Sequence, residues 1–356
     1  MEKTQTKPER LACMDVARAL AVLLVIYGHT FRESMRAAHL WCDWSYLYVY
    51  RFHVSALFML SGMGYAMGRE RSTALSVRQF ACKKAGAILK PWVAYSLLMY
   101  LVFSAVQLVP AIRGMLSSSA YQLVSPGNYL LAMLKNENPY CFHVWYLQTL
   151  FLFVMTAFLL DRFLPQKISR IISFILMLLL PAVYSLFCTQ LPWVFKGYVQ
   201  KLPFFLLGTL LPREKLTKRA GALSALGLAC AAGLFCLTVY PMDTLYASHL
   251  TGLPLSYGEN LLIAGVCVGL VALCHVLRRP LRFLASFGQN TMPYYLYHQP
   301  LCCAVTGMVL YDRLHLSTPA TVLICLMLSI LVPFVLVRFV GKTRLGTLLR
   351  RLGLPM

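Results

Sequence analysis

Long apolar stretches that are almost free of charge are the feature that most restricts what this chain can fold into. Only 13% of the 356 residues are charged, and 59% are hydrophobic. Soluble domains carry about 25% charged residues, whereas apolar stretches of about 18 or more residues are typical of membrane-spanning helices. The sequence therefore excludes an ordinary soluble domain and predicts an all-α, polytopic membrane helix bundle.

The apolar windows number about ten. They cover approximately residues 11–31, 46–67, 87–109, 142–160, 171–190, 197–211, 220–240, 257–277, 286–310 and 318–340. The sixth window is either a full span or a short or broken helix, because Pro192 and Pro203 flank or interrupt it. No linker leads to a second soluble domain, so we expect residues 1–356 to form one integral membrane domain.

The positions of the basic residues predict the topology. With the N-terminus inside, 24 of the 33 Lys and Arg lie on the cytoplasmic side and eight on the outer side, and Arg18 alone lies within a span. This bias follows the positive-inside rule, so we expect both termini in the cytoplasm and a multi-pass protein of the cell membrane. The net charge of +21 does not indicate a nucleic-acid partner, because the charges lie between apolar runs rather than on one basic face.

The first window carries three ionisable residues, Asp15, Arg18 and His29. At 100° per residue, the eleven steps from Arg18 to His29 return to within about 20° of the same face. Because charged groups within a span are costly, they are candidates for function. The alternative is that Asp15 and Arg18 only pair with each other and anchor the helix end.

Three further histidines are predicted at the depth of His29. His53 lies near the outer start of the second window, His143 at the outer start of the fourth, and His298 in the outer half of the ninth. A buried polar cluster at one depth suits proton transfer, because histidine titrates near physiological pH. We take these three residues, with Arg51 and Trp145 beside them, as candidates for binding the substrate.

The ninth window has a polar pattern of its own. Asn290, Tyr294 and Tyr297 follow at spacings of four and three residues and lead to His298. On one continuous helix they form an inward polar face. They are therefore added to the substrate-binding candidates, with the alternative that the tyrosines are only interfacial aromatics.

Five segments of the chain carry a family resemblance. MDVARALAVLLVIYGHT, with an Arg, ten residues and a His at Arg18 and His29, resembles the first helix of the acyltransferase-3 membrane family. RFHVSALFMLSGMGYA, HVWYLQTLFLF, PFFLLGTLL and FGQNTMPYYLYHQPL resemble the family's second, fourth, sixth and ninth helices. The branch it resembles includes fucose and other sugar O-acetylases. The basic pair that often precedes a Pro after helix two is altered here, in FACKKAGAILKPW.

The resemblance implies transfer of an acyl group, commonly acetyl from cytoplasmic acetyl-CoA, to a hydroxyl or amine of an extracytoplasmic carbohydrate or lipid-linked glycan. His29 is then expected to be the general base or a transient acyl carrier, with Arg18 and Asp15 on the donor side. The phosphates of CoA are anionic, so basic residues of the inner segments are candidates to bind them. These candidates are Arg18, Lys83, Lys84, Lys90 and Arg282.

Two other function classes stay open at this stage. A proton-coupled transporter of a small polar solute also places ionisable groups on facing helices, but no second half of the chain repeats Arg18 and His29. The third class is a non-catalytic membrane receptor, in which the predicted histidine cluster has no function. No Cys and His spacing typical of a metal site is present, so no metal is expected. The acceptor and the oligomeric state are not predicted.

Overall fold

The computed structural model describes residues 12–110, 122–187, 189–240 and 249–356. Within these ranges the chain forms helices joined by turns and loops, and none of the described residues lies in a β-strand. The all-α architecture predicted from the sequence is therefore confirmed for this part of the chain.

The helices that build the bundle follow one another closely along the chain. They are α1 (Ala12–Thr30), α2 (Leu40–Met67), α3 (Val77–Val106), α4 (Phe142–Phe163), α5 (Gln166–Phe187), α6 (Trp193–Leu210), α7 (Ala220–Val239), α8 (His249–Val276), α9 (Arg282–Gln289), α10 (Thr291–Tyr297), α11 (Thr318–Arg338) and α12 (Arg344–Leu352). Shorter helices at Glu33–Ala38, Arg69–Thr73, Pro126–Leu134 and Arg213–Lys218 connect them. Three segments are π-helical, namely Ala85–Leu89 within α3, His298–Val305 and Met308–Arg313.

Seven helices of the described ranges are long and apolar enough to cross a membrane. They coincide with seven of the predicted windows and identify a multi-pass membrane protein. The windows at 46–67 and 197–211 lie in α2 and α6, whose polar side chains, such as those of Arg51 and Lys201, make them less apolar. Helix α6 continues through Pro203, so it is neither short nor broken.

The ninth window, 286–310, is not one continuous helix, and the prediction of an unbroken span there is wrong. The chain leaves the helical conformation at Asn290, where φ is −131° and ψ is 56°, and again at Gln299, where φ is −122° and ψ is 151°. The second break has a local cause, because a residue that precedes a proline avoids the α conformation and Pro300 follows Gln299. Pro293 is tolerated because it lies in the first turn of α10.

Ion pairs join the helices at both ends of the bundle. Asp161, near the end of α4, accepts hydrogen bonds from Arg69 Nε at 2.8 Å, Tyr65 at 3.0 Å and Ser169 at 2.6 Å, which connects α2, α4 and α5. Beyond the end of α1, Arg32 Nε lies 2.9 Å from Oδ2 of Asp312 in the π-helical segment Met308–Arg313. These contacts fix the position of each helix along the axis of its neighbours.

Helices α2 and α6 cross in close backbone contact. A Cβ atom on Gly62 of α2 would overlap the carbonyl of Phe205, and one on Gly208 of α6 would overlap the carbonyl of Met59. Only glycine permits this separation at either position. The crossing therefore sets the position of the other α6 side chains against α2, including those described below.

Candidate active site

The polar side chains of α1 lie along the helix as the spacing predicts. Asp15 is buried near its start, and Oδ1 of Asp15 accepts a hydrogen bond from Arg18 Nη1 at 3.2 Å. Arg18 keeps 28% of its side chain exposed. His29 lies in the last turn, about 16 Å along the helix axis from Arg18. Helix α1 thus carries an ion pair at one end and an imidazole at the other.

Four histidines from separate segments meet near the end of α1. The ring centroid of His298 lies 5.2 Å from that of His29 and 5.1 Å from that of His143. Tyr50 lies between His29 and the fourth histidine, His53. Its ring centroid lies 5.6 Å from that of His29 and 4.9 Å from that of His53. The structure therefore brings together the histidines that were predicted at one depth. Among the described residues, no three His, Cys, Asp or Glu side chains form a group that would hold a metal ion.

Backbone carbonyls fix the tautomers of two of these rings. Nδ1 of His53 lies 2.6 Å from the carbonyl oxygen of Val49, and Nδ1 of His298 lies 3.1 Å from that of Tyr294. A carbonyl oxygen only accepts, so Nδ1 donates in both rings and Nε2 carries the lone pair when the ring is neutral. Nε2 of His298 is buried and has no hydrogen-bond partner among the described residues. The cluster therefore contains an acceptor that no donor of the described ranges fills.

Hydrogen bonds hold both the side chain and the backbone of His143. Its Nε2 donates to the carbonyl oxygen of Leu296 at 3.2 Å, and the Tyr295 hydroxyl donates to the carbonyl oxygen of His143. The turn before it is closed by Asn138, whose Oδ1 accepts from the backbone N–H of Cys141 at 3.1 Å. These bonds attach the start of α4 to α10 and orient the ring.

His29 differs from the other three histidines because it is only half-buried, whereas His53, His143 and His298 are no more than 5% exposed. Nδ1 of His29 lies 2.9 Å from the hydroxyl oxygen of Tyr50. When Nδ1 donates to that oxygen, Nε2 has a free lone pair, which is the tautomer that a general base requires. His29 is thus the least buried of the four histidines.

A cavity of about 160 Å³ lies beside the ion pair of α1. It is lined by Arg18 together with Ser61, Tyr146 and Tyr295. The Tyr146 hydroxyl lies 3.2 Å from Ser61 Oγ. Because Tyr295 also bonds to His143, the cavity adjoins the segment that holds the histidines.

A second cavity, of about 340 Å³, lies at the start of α1. It is lined by Met14, Arg69, Arg170 and Gly208, among others. Arg69 is paired with Asp161, but Arg170 is exposed and forms no ion pair with the described residues. This cavity therefore offers a cation near the start of α1.

The other predicted donor-binding residues lie elsewhere. Lys83, Lys90 and Arg282 are exposed, and Lys84 Nζ lies 5.5 Å from the ring centroid of Phe80. None of them lines the two cavities beside α1. Their role at the donor stays a prediction.

Arg51 and Trp145 face neighbouring helices. Arg51 Nη1 lies 2.5 Å from Glu259 Oε1 on α8, and Nε lies 3.1 Å from Thr238 Oγ1 on α7. The indole of Trp145 packs against Gly197 of α6. Arg51 therefore joins three helices, and its guanidinium is already occupied by protein acceptors.

The break at Asn290 divides the predicted polar face of the ninth helix. Asn290 is exposed, so its predicted place on an inward face with the tyrosines is wrong. Tyr294 packs against Phe287, with ring centroids 4.1 Å apart. The ring centroid of Tyr297 lies 5.6 Å from that of Tyr95, and the buried hydroxyl of Tyr297 has no hydrogen-bond partner among the described residues. Of these three residues, Tyr297 extends the unfilled polar region of the cluster.

Two residues of the site were not predicted from the sequence. Tyr50 lies three residues before His53, which is the spacing of side chains on one helix face. Lys201 was counted with the outer segments, but it is buried within α6, and its Nζ donates to Ser55 Oγ at 3.3 Å. The signal for Lys201 was a charge inside the apolar window 197–211.

A comparison with families of known proteins finds one match. A family model described as an acyltransferase domain, that of acyltransferase-3, matches residues 11–338. No curated protein and no solved structure matches the chain. The matched region runs from α1 to the end of α11 and contains the ion pair, both cavities and the four histidines. The chain therefore belongs to the acyltransferase-3 family of membrane acyltransferases.

Proposed function

We propose that the protein moves an acyl group, with acetyl as the expected group, from cytoplasmic acyl-CoA to an extracytoplasmic carbohydrate or lipid-linked glycan. The accepting atom is a hydroxyl oxygen or an amine. The observation that carries the proposal is the half-buried His29 in a cluster of buried histidines. It lies on the same helix as Arg18, which opens onto a cavity. Donor and acceptor sites on one helix suit transfer across a membrane.

In this mechanism His29 acts as the general base. The acceptor hydroxyl gives its proton to Nε2 while its oxygen attacks the thioester carbonyl, and the C–S bond breaks to release CoA thiolate. The imidazolium then returns the proton to the thiolate, so the products are an acyl ester and free CoA. In the alternative route, Nε2 attacks the thioester carbonyl first, and the C–S bond breaks to release CoA thiolate. Nε2 then carries the acyl group until the acceptor oxygen attacks it, and the acceptor's proton goes to the thiolate.

The neighbours of His29 have positioning roles in this mechanism. Tyr50 accepts the Nδ1 proton and orients the ring, as a carboxylate does in hydrolase triads. His53, His143 and His298 line the outer end of the path and orient the acceptor or relay its proton. The unfilled Nε2 of His298 supports this role, because it can accept from a substrate hydroxyl.

The donor occupies the inner half of the path. Arg18, oriented by Asp15, offers a planar pair of donors to a phosphate or a carbonyl oxygen. Arg170 in the larger cavity supplies a further cation for a CoA phosphate. Lys83 and Lys84 are proposed to bind the remaining phosphates of CoA.

Sealed inside-out vesicles from cells that express the protein test the activity. Radiolabelled acetyl-CoA added outside is expected to label carbohydrate within the vesicles and to release CoA. His29→Ala should lower both by about 10²- to 10⁴-fold, whereas His39→Ala, at an exposed position before α2, should change neither. Normal labelling by His29→Ala would refute its role, and solute uptake without CoA release would favour the transporter.

The proposed topology has ten crossings and two cytoplasmic termini, and cysteine labelling in cells tests it. A thiol at Ser118, which lies outside the described residues, should react with an impermeant reagent, and a thiol at Ser76 should not. Three native thiols are first replaced by serine: those of Cys82 and Cys236, which are exposed among the described residues, and that of Cys188, which lies outside the described residues. The reverse labelling pattern would overturn the proposed sidedness of transfer.

A further inference from the structure

A groove separate from the active site lies between α3 and the C-terminal helix α12. It has a volume of about 450 Å³ and is lined by Leu89, Lys90, Val93, Leu97 and Leu352, with small residues at its base. We call it the Lys90 groove. It shares no lining residue with the two cavities beside α1.

Helix α12 is fixed against α3 at the groove. Gly353, directly after α12, has φ of +108°, which favours glycine, and a Cβ there would overlap Lys90. Arg350 Nη1 also donates to the Gly341 carbonyl oxygen at 2.5 Å. Both contacts hold α12 in one orientation, so the wall formed by Leu352 is a constant part of the groove.

Helix α12 presents an amphipathic surface beside the groove. Leu345, Leu348 and Leu352 are exposed and fall within about 60° of one another around the helix axis. Arg344 and Arg351 lie at the edge of this apolar strip and are also exposed. Apolar residues bordered by arginines along one edge are consistent with a helix that lies in the membrane interface.

The apolar wall continues along α3 away from Lys90. Val93, Leu97 and Leu101 are exposed at spacings of four residues and form one strip. From Lys90 to Leu101 the strip is about 16 Å long, close to half of the roughly 30 Å hydrocarbon core. A cation at the end of an apolar strip of this length matches one phospholipid, with its headgroup at Lys90 and its chain along α3.

We propose that the Lys90 groove binds an anionic phospholipid of the cytoplasmic leaflet. Lys90 and Arg351 hold the phosphate and headgroup, and the acyl chain packs along Leu97 and Leu101. Charge-assisted bonds from basic side chains to phosphate favour an anionic over a zwitterionic lipid. The side of the membrane follows from the proposed topology, whereas the lipid selectivity depends on the groove alone.

Native mass spectrometry of the full-length protein tests the proposal. Protein equilibrated with equal amounts of phosphatidylglycerol and phosphatidylcholine of the same chain length is expected to retain phosphatidylglycerol preferentially. In the double variant Lys90→Gln, Arg351→Gln, the ratio of bound phosphatidylglycerol to phosphatidylcholine should fall by about 25-fold, because each basic residue near an anionic surface contributes about fivefold to binding. Lys167→Gln, an exposed lysine outside the groove, is the matched control and should retain it.

Three results would overturn the proposal. The first is equal retention of both lipids by the unmodified protein, which needs no variant and so does not depend on variant folding. The second is that the double variant Lys90→Gln, Arg351→Gln keeps the full preference for phosphatidylglycerol, as the charge-conserving double variant Lys90→Arg, Arg351→Lys does. The third is displacement of phosphatidylglycerol by acetyl-CoA, which would assign the groove to the phosphates of the acyl donor.

Discussion

Replacing Tyr50 by Phe isolates the contact that orients His29. The substitution removes only the hydroxyl group, whose oxygen lies 2.9 Å from Nδ1 of His29. The ring itself stays packed, because its centroid lies 4.0 Å from Tyr46 and 4.9 Å from His53. Tyr50→Phe therefore removes the hydrogen bond to His29 and changes very little of the packing.

The expected loss of activity follows from the hydrogen-bond partner that Nδ1 of His29 loses in Tyr50→Phe. Removing one partner of a buried hydrogen bond costs about 1–3 kcal/mol, which corresponds to about 5- to 150-fold in rate. The loss should fall on kcat, because without the bond the ring populates the tautomer whose Nε2 carries the proton. It should stay below the loss in His29→Ala, since the imidazole itself remains.

Vesicle labelling with acetyl-CoA over a concentration series separates kcat from KM. Tyr48→Phe is the matched control, because it removes a hydroxyl from the same helix whose bond goes to the Ala231 carbonyl oxygen on α7. We expect Tyr48→Phe to label at the normal rate. A Tyr50→Phe protein with unchanged kcat, alongside an inactive His29→Ala, would refute the view that Tyr50 sets the tautomer of the base.

Three further substitutions test the donor side and the packing. Arg18→Lys should weaken acetyl-CoA binding in calorimetry by about tenfold or more, because lysine lacks the planar fork, and unchanged affinity would leave Arg18 as a helix anchor only. Gly62→Ala should destabilise the protein by about 1–3 kcal/mol in chemical unfolding. Its control Gly64→Ala has open space, and equal stability of the two would contradict the close crossing. Asp161→Asn should cost about 3–5 kcal/mol because it leaves Arg69 largely buried without its counter-ion, and a loss below about 1 kcal/mol would contradict this.

The features of the site that depend on a single regular helix were predictable from the sequence. Helical geometry alone placed Arg18 and His29 along one side of α1, and topology placed His143 and His298 at the same depth. The first argument uses only a fixed rise and rotation per residue, and it holds because α1 is an unbroken α-helix from Ala12 to Thr30. The second rests on the distribution of basic residues, and in the structure the ring centroid of His298 lies 5.2 Å from that of His29 and 5.1 Å from that of His143.

The breaks in the ninth segment were missed because a window of mean hydropathy carries no information about backbone conformation. Asn290 and Gln299 leave the helix within a window that is apolar on average. Part of the signal was present, since Gln299 precedes a proline and such residues are biased away from the α conformation. Only packing decides which of the possible breaks occurs, and packing is not encoded in the composition of a window.

Lys201 shows how a contact between two helices decides the position of a charged side chain. The Gly62 and Gly208 crossing holds α6 against α2, and in that position Lys201 lies beside Ser55, two residues from His53. Gly208 also lines the cavity at the start of α1. Because one backbone crossing borders both the donor cavity and the histidine cluster, separating α2 from α6 disturbs both ends of the proposed path. Loss of donor binding together with loss of stability is therefore the expected signature of damage at this crossing, whereas damage at His29 alone leaves both intact.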